Sequence, residues 1–183
     1  MDKTSALYQT YLRILHEELI PAMGCTEPIA IAYAAAKARE VLGRLPGQVW
    51  LGVSNNIIKN VKSVIVPNTG GMKGIEAAAA AGIVGGQAGR ALEVISEVTE
   101  EQKAEMRRFL QSTPIQVEAV DNGQIFDITV RLTAGEETAA VRIAQYHTNI
   151  VHIEKNGQVL LDVPVEEPRS ACEIGRASCR ERV

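Results

Sequence analysis

The sequence predicts an α+β protein in which helices come first and an antiparallel β meander follows, with a glycine-rich strand-to-helix turn among the early elements. Three observations predict it. Apolar residues recur at three- and four-residue spacing in the first half of the chain. Short β-branched runs separated by turn signals fill the stretch after Pro114. The 183 residues are 46% hydrophobic but only 4% aromatic, so Ala, Val, Ile and Leu must build a core that a chain of this length is able to bury.

Taken in order, Tyr8, Tyr11, Leu12, Leu15 and Leu19 share one stripe of a helix over residues 5–20, which Pro21 stops. Thr26 is placed to cap a second helix, with Glu27 and Pro28 in its first turn and Gly43 as its C-cap. Residues 48–54 and 61–66 read as strands separated by the polar segment NNIIKN. The turn PNTGGMKG then opens an alanine-rich helix whose small side chains favour close packing. A further amphipathic helix over residues 99–110 turns Met106, Phe109 and Leu110 inward. Residues 114–120, 125–132, 138–145 and 149–154 read as strands. Asp121-Asn122-Gly123 and Asn156-Gly157 are hairpin signals, the second leading into VLLDV.

The formal charge of -3 provides no electrostatic footprint for nucleic acid. The longest apolar stretches, residues 29–36 and 77–86, fall short of the roughly 18 residues of a membrane span. The N-terminal segment lacks the apolar region of a secretory signal, so a cytoplasmic protein is expected. Residues 169–183, RSACEIGRASCRERV, change style abruptly. Residues 166–183 are therefore expected to be a disordered cloning or sequencing artefact, leaving residues 1–165 as one domain. Cys172 and Cys179 fall in that tail, and Cys25 alone excludes a disulfide framework.

Four segments are candidates for chemistry. Cys25 lies at a helix start, where unpaired N–H groups and the positive dipole end favour a thiolate, and Gly24 beside it permits close approach; an inert cysteine is the plain alternative. The turn holding Thr69, Gly70, Gly71, Lys73 and Gly74 feeds a helix and offers N–H groups and a cation to a carboxylate or phosphate, although neither GxxxxGK[ST] nor GxGxxG is present. His147, Thr148 and Asn149 offer donors and acceptors at a strand entry. His147 and His152 are five apart, on opposite faces of a continuous strand, which disfavours a shared metal. Asn55, Lys59 and Asn60 group amides and a cation that read alone as a solvated loop.

At PAMGCTEP, VSNNIIKNV, VPNTGGMKGIEAAAAAG and HTNIVHIE the chain resembles the L-cysteine desulfidase family, related to the iron–sulfur L-serine dehydratase alpha chains. The resemblance implies the N-terminal part of a [4Fe-4S]-dependent β-lyase of amino-acid catabolism, converting L-cysteine to pyruvate, ammonia and sulfide, or acting on L-serine. It implies Cys25 as catalytic proton acceptor. The substrate pocket would be lined by Asn55, Lys59, Asn60, Thr69, Gly70, Gly71, Lys73, Gly74, His147, Thr148 and Asn149. The cluster ligands would lie in a C-terminal helical domain outside this sequence, leaving the fragment inactive alone and holding no metal ligand itself. Its partners would be a small amino-acid substrate and that missing domain, with a second copy as a further option, and no nucleic acid and no membrane. A non-catalytic module binding an amino acid or anion, and a structural interaction domain, stay open as alternatives.

Overall fold

The computed structural model describes residues 3–18 and 21–165, so the expected artefact at 166–183, with Cys172 and Cys179, lies outside the described residues. The helices are α1 (Ala6–Glu18), α2 (Thr26–Leu42), α3 (Asn55–Val61), α4 (Gly74–Gly85) and α5 (Glu100–Ser112), with a 3-10 turn at Ala88–Glu93 before α5. The strands are β1 (Gln48–Ser54), β2 (Ile115–Val120), β3 (Asp127–Ala134), β4 (Glu137–Ala144), β5 (Ile150–Lys155) and β6 (Gln158–Asp162). The fold is α+β, built on one six-stranded sheet of order β2-β1-β3-β4-β5-β6.

From β3 to β6 the sheet is the antiparallel meander that the turn signals predict. β1 extends it beside β3, and β2 pairs with β1 in parallel, making the sheet mixed. The parallel pairing is possible because α3, α4 and α5 lie between β1 and β2, a crossover long enough to bring the chain back in the same direction. Residues 61–66 depart from the predicted strand. Val61 closes α3, and only Ile65 makes an isolated bridge, to Lys73. The segment read as a polar loop is helical because Ile57 and Val61, four apart, both bury. A bridge rather than a strand therefore precedes the glycine-rich turn.

α2 is the centre of the molecule. Cys25 stands at its N-cap position, Pro28 sits in the first turn, and Gly43 ends it in the left-handed conformation (φ 86°), its N–H donating to the Arg39 carbonyl at 2.9 Å. From Pro28 to Ala38 nearly every residue is buried, because β3 and β4 cover one side and α4 another. Small residues set the spacing of the two helices. A Cβ on Gly82 would collide with the backbone of Ala32, and one on Gly86 would lie 2.7 Å from the Ala36 Cβ. Val49, Leu51, Val53, Ile128, Val130, Leu132, Val141 and Ile143 supply the sheet's side of the core.

The other sheet face is polar. The Trp50 ring lies over Gly52 with the Arg131 guanidinium 5.3 Å from its centre, and Arg142 grips the buried Asp127 carboxylate at 2.5 Å. α5 packs against α4 through Met106 and Phe109. Its start is fixed by a capping box, with the Thr99 hydroxyl accepting from the Gln102 N–H at 3.3 Å and the Gln102 side chain accepting from the Thr99 N–H at 3.0 Å.

Candidate functional site

The start of α2 gathers polar side chains from three parts of the fold. Gly24 precedes it at φ 144°, with Pro67 of the glycine-rich segment 3.3 Å from where its Cβ would be, so this glycine accommodates the neighbouring loop. Cys25 is free and exposed. Its thiol donates to the Glu27 carboxylate (Sγ to Oε2, 3.3 Å), which also accepts from the Thr26 hydroxyl at 3.4 Å. From α3, the Asn60 amide donates to the other carboxylate oxygen at 3.4 Å. From the loop between β4 and β5, His147 is half-buried, its ring tilted against Phe126 with centres 4.5 Å apart, and its charge couples to that of Glu27.

The electrostatics reverse the expectation drawn from the helix end. Burial pushes the Cys25 thiol above its ordinary pKa, and the hydrogen bond to Glu27 and that group's negative charge push it further up. The Glu27 backbone N–H works the other way, as the dipole argument foresees, but does not prevail. Burial also raises Glu27, yet its own backbone N–H, the thiol, His147 and Asn60 together hold the carboxylate below its usual range. Burial lowers His147, with Glu27 opposing it. At neutral pH the arrangement is therefore a protonated thiol donating to a carboxylate, beside an imidazole biased towards its neutral form.

The remaining sequence candidates divide. The Thr69 hydroxyl is buried and donates to the Val66 carbonyl at 2.8 Å, closing its own turn. Gly70 and Gly71 take positive φ and are exposed, as is Lys73, while Gly74 is buried with its N–H donating to the Val64 carbonyl at 3.2 Å. The Asn149 amide donates to the Ala144 carbonyl at 3.0 Å, and the Thr148 carbonyl accepts from the Ile150 N–H, so both shape the loop that carries His147. Asn55 and Lys59 are exposed on α3. Sequence reasoning missed Glu27 as a site residue, having assigned its charge to the helix end; the available signal was an acid two residues after the cysteine. Among the described residues no group of three or more His, Cys, Asp or Glu is placed to hold a metal ion. Cys25 alone does not fit the thiolate set of a [4Fe-4S] cluster.

No family model matches the chain. It is 58% identical over 160 residues to a UPF0597 protein of Desulfitobacterium hafniense, covering 87% of this chain and 37% of that protein. A UPF0597 protein of Lachnoclostridium phytofermentans is 47% identical over 161 residues, or 88% of the chain and 39% of its own length. One from Treponema denticola is 40% identical over 179 residues, 98% of the chain and 41% of its length. The chain thus spans well under half of the curated relatives it matches.

These relatives overturn the resemblance to the cysteine desulfidase family and the serine dehydratase alpha chains. The reading as the front part of a [4Fe-4S] lyase acting on amino acids falls with it. Their shared name states no such activity. The structure supplies a physical reason why the motifs misled. Gly24 accommodates Pro67, Thr69 closes its own turn, Gly82 admits Ala32, and Asn149 shapes a loop, so much of the resemblance rests on residues that serve packing and turn geometry.

Proposed function

We propose that the chain carries an acid–base site for a small polar molecule. In it the Glu27 carboxylate is the resting anion, the Cys25 thiol its proton donor, Asn60 the group that orients the carboxylate, and His147 a neutral flanking imidazole. The observation that supports this most directly is the 3.3 Å thiol-to-carboxylate contact, with the Asn60 amide of α3 on the second oxygen. A carboxylate held only to keep the fold together gains most from Lys or Arg partners. The partners of Glu27 given above are a thiol, a hydroxyl and an amide, which leave it a net negative charge and a proton-accepting capacity.

The chemistry follows from the resting protonation states. Glu27, ionised across the neutral range, takes a proton from a substrate group or receives its ammonium. The exposed thiol, in contact with that carboxylate on the same side of the site, gives its own proton to the substrate and is reprotonated from Glu27. General acid–base participation of this kind contributes about 10²- to 10⁴-fold to rate. The free, exposed thiol is consistent with a reducing compartment, and we place the activity in the cytoplasm.

Proton nuclear magnetic resonance in D₂O, with a panel of small amino and hydroxy acids, tests the reading. Deuterium enters a carbon-bound position of at least one compound, and Cys25→Ala and Glu27→Gln each slow that exchange by about 100-fold or more. In parallel, the pH midpoint for iodoacetamide alkylation of Cys25 lies above that of an ordinary thiol and falls in Glu27→Gln, because the carboxylate that holds the proton on sulfur is gone. Absence of exchange with every compound, or a midpoint indifferent to Glu27→Gln, overturns it.

A further inference from the structure

Among the described residues, the open sheet face and helix α1 both lack a covering element, and they differ in what water does to them. On the open sheet face the charged groups are mutually satisfied: Arg142 holds Asp127, the His152 ring meets Asp162 at 3.0 Å, and Arg131 lies against Trp50. Such a face is stable in solvent. Helix α1 is not built that way. Leu7, Tyr11, Ile14 and Leu15 are 59%, 48%, 45% and 50% exposed, and their spacing of four, three and one places them along one stripe.

We propose that this stripe is a docking surface whose occupant is the part of the longer UPF0597 polypeptide that this chain does not span. Two further observations carry it. A helix of 13 residues is near the length at which an isolated helix is marginal in water, roughly 12–15 residues, so α1 needs packing to be stable. The relatives supply the material, since the matched region is 37–41% of their length and the remainder of each lies elsewhere in the polypeptide. The Treponema denticola match spans 98% of this chain, so α1 belongs to the shared region and is carried into the longer protein. The docking would bury the leucines, the isoleucine and the Tyr11 ring against apolar side chains of that remainder.

Hydrogen exchange read by mass spectrometry tests this on two proteins, the chain itself and the full-length Treponema denticola relative. In the chain the α1 amides exchange fast; in the full-length protein the matching segment slows by on the order of 100-fold or more, as opening becomes limited by packed structure. A second arm replaces the matched region of that relative with this chain. There Leu7→Asp with Leu15→Asp lowers the melting temperature by several degrees, whereas the same pair leaves the melting of the isolated chain unchanged. Equally fast exchange in both forms overturns the proposal. So does protection in the isolated chain that rises with its concentration and disappears in the double variant, which would make a second copy the occupant.

Discussion

Helices α1 and α2 follow one another in the chain and obey opposite rules. α1 has the clear helical period, with apolar residues along one side and polar ones elsewhere, yet its stripe lies open. α2 has a weak period, because Ile and Ala occupy every side except the one marked by Tyr33, Lys37 and Glu40, and it is buried between the sheet and α4. The difference teaches what each pattern reports. An amphipathic period records that one face needs covering and is silent about where the cover comes from. A run of alanine facing glycine records the contact itself, because such residues are useful where two backbones must approach.

The sharpest way to break that comparison is at the crossing of α2 and α4. Gly82→Val puts a branched side chain where even a single Cβ would meet the Ala32 backbone, with its carbonyl carbon at 2.8 Å. A backbone inside a fully covered helix cannot retreat as a flexible side chain can, so the helices must separate and the core behind them loosens. The expected loss is about 3 kcal/mol or more, large for a domain of this size. A urea midpoint like that of the parent would show that the crossing is looser than described.

Next in size is Ile31→Ala. Ile31 is fully buried on the same helix, and its truncation removes apolar transfer energy and leaves a cavity that rigid neighbours fill poorly. The expectation is about 2–5 kcal/mol by chemical denaturation with an unchanged m-value. A loss below about 1 kcal/mol would mean that α2 is mobile enough to close over the gap.

Much of the fold was legible because its signals are local. The Gly43 cap, the amphipathic face of α5 and the hairpin at Asn156-Gly157 each depend on residues within a few positions, whereas Asp121-Asn122-Gly123 closes no hairpin, because β2 and β3 each pair with β1 and not with each other. What failed depends on distance. α3 is spelled mostly in polar letters, and only burial of Ile57 and Val61 against the rest of the chain makes it a helix. The parallel pairing of β2 with β1 joins strands separated by three α-helices, which no local pattern records. The candidate site divides in the same way. Cys25 and His147 were readable as reactive residue types and Asn60 stood among the candidates, but Glu27, which Asn60 meets only because α2 and α3 come together, was not. The acidity of Cys25 was inferred from the helix end alone, and burial with a neighbouring carboxylate outweighs that end.

The smallest effect is the most discriminating for the comparison. Leu15→Ala removes from α1 a side chain about as large as the one Ile31→Ala removes from α2, in a residue half exposed rather than fully covered. The exposed leucine has little transfer energy to lose and leaves no enclosed cavity. Alanine also has the higher helix propensity, which partly offsets whatever contact is lost. The two terms nearly cancel, and the urea midpoint of the isolated chain should move by no more than about 0.5 kcal/mol in either direction. A loss above about 1 kcal/mol would place Leu15 against a partner within this chain or a second copy of it, and the contrast between the two helices would then lie in their sequence patterns alone.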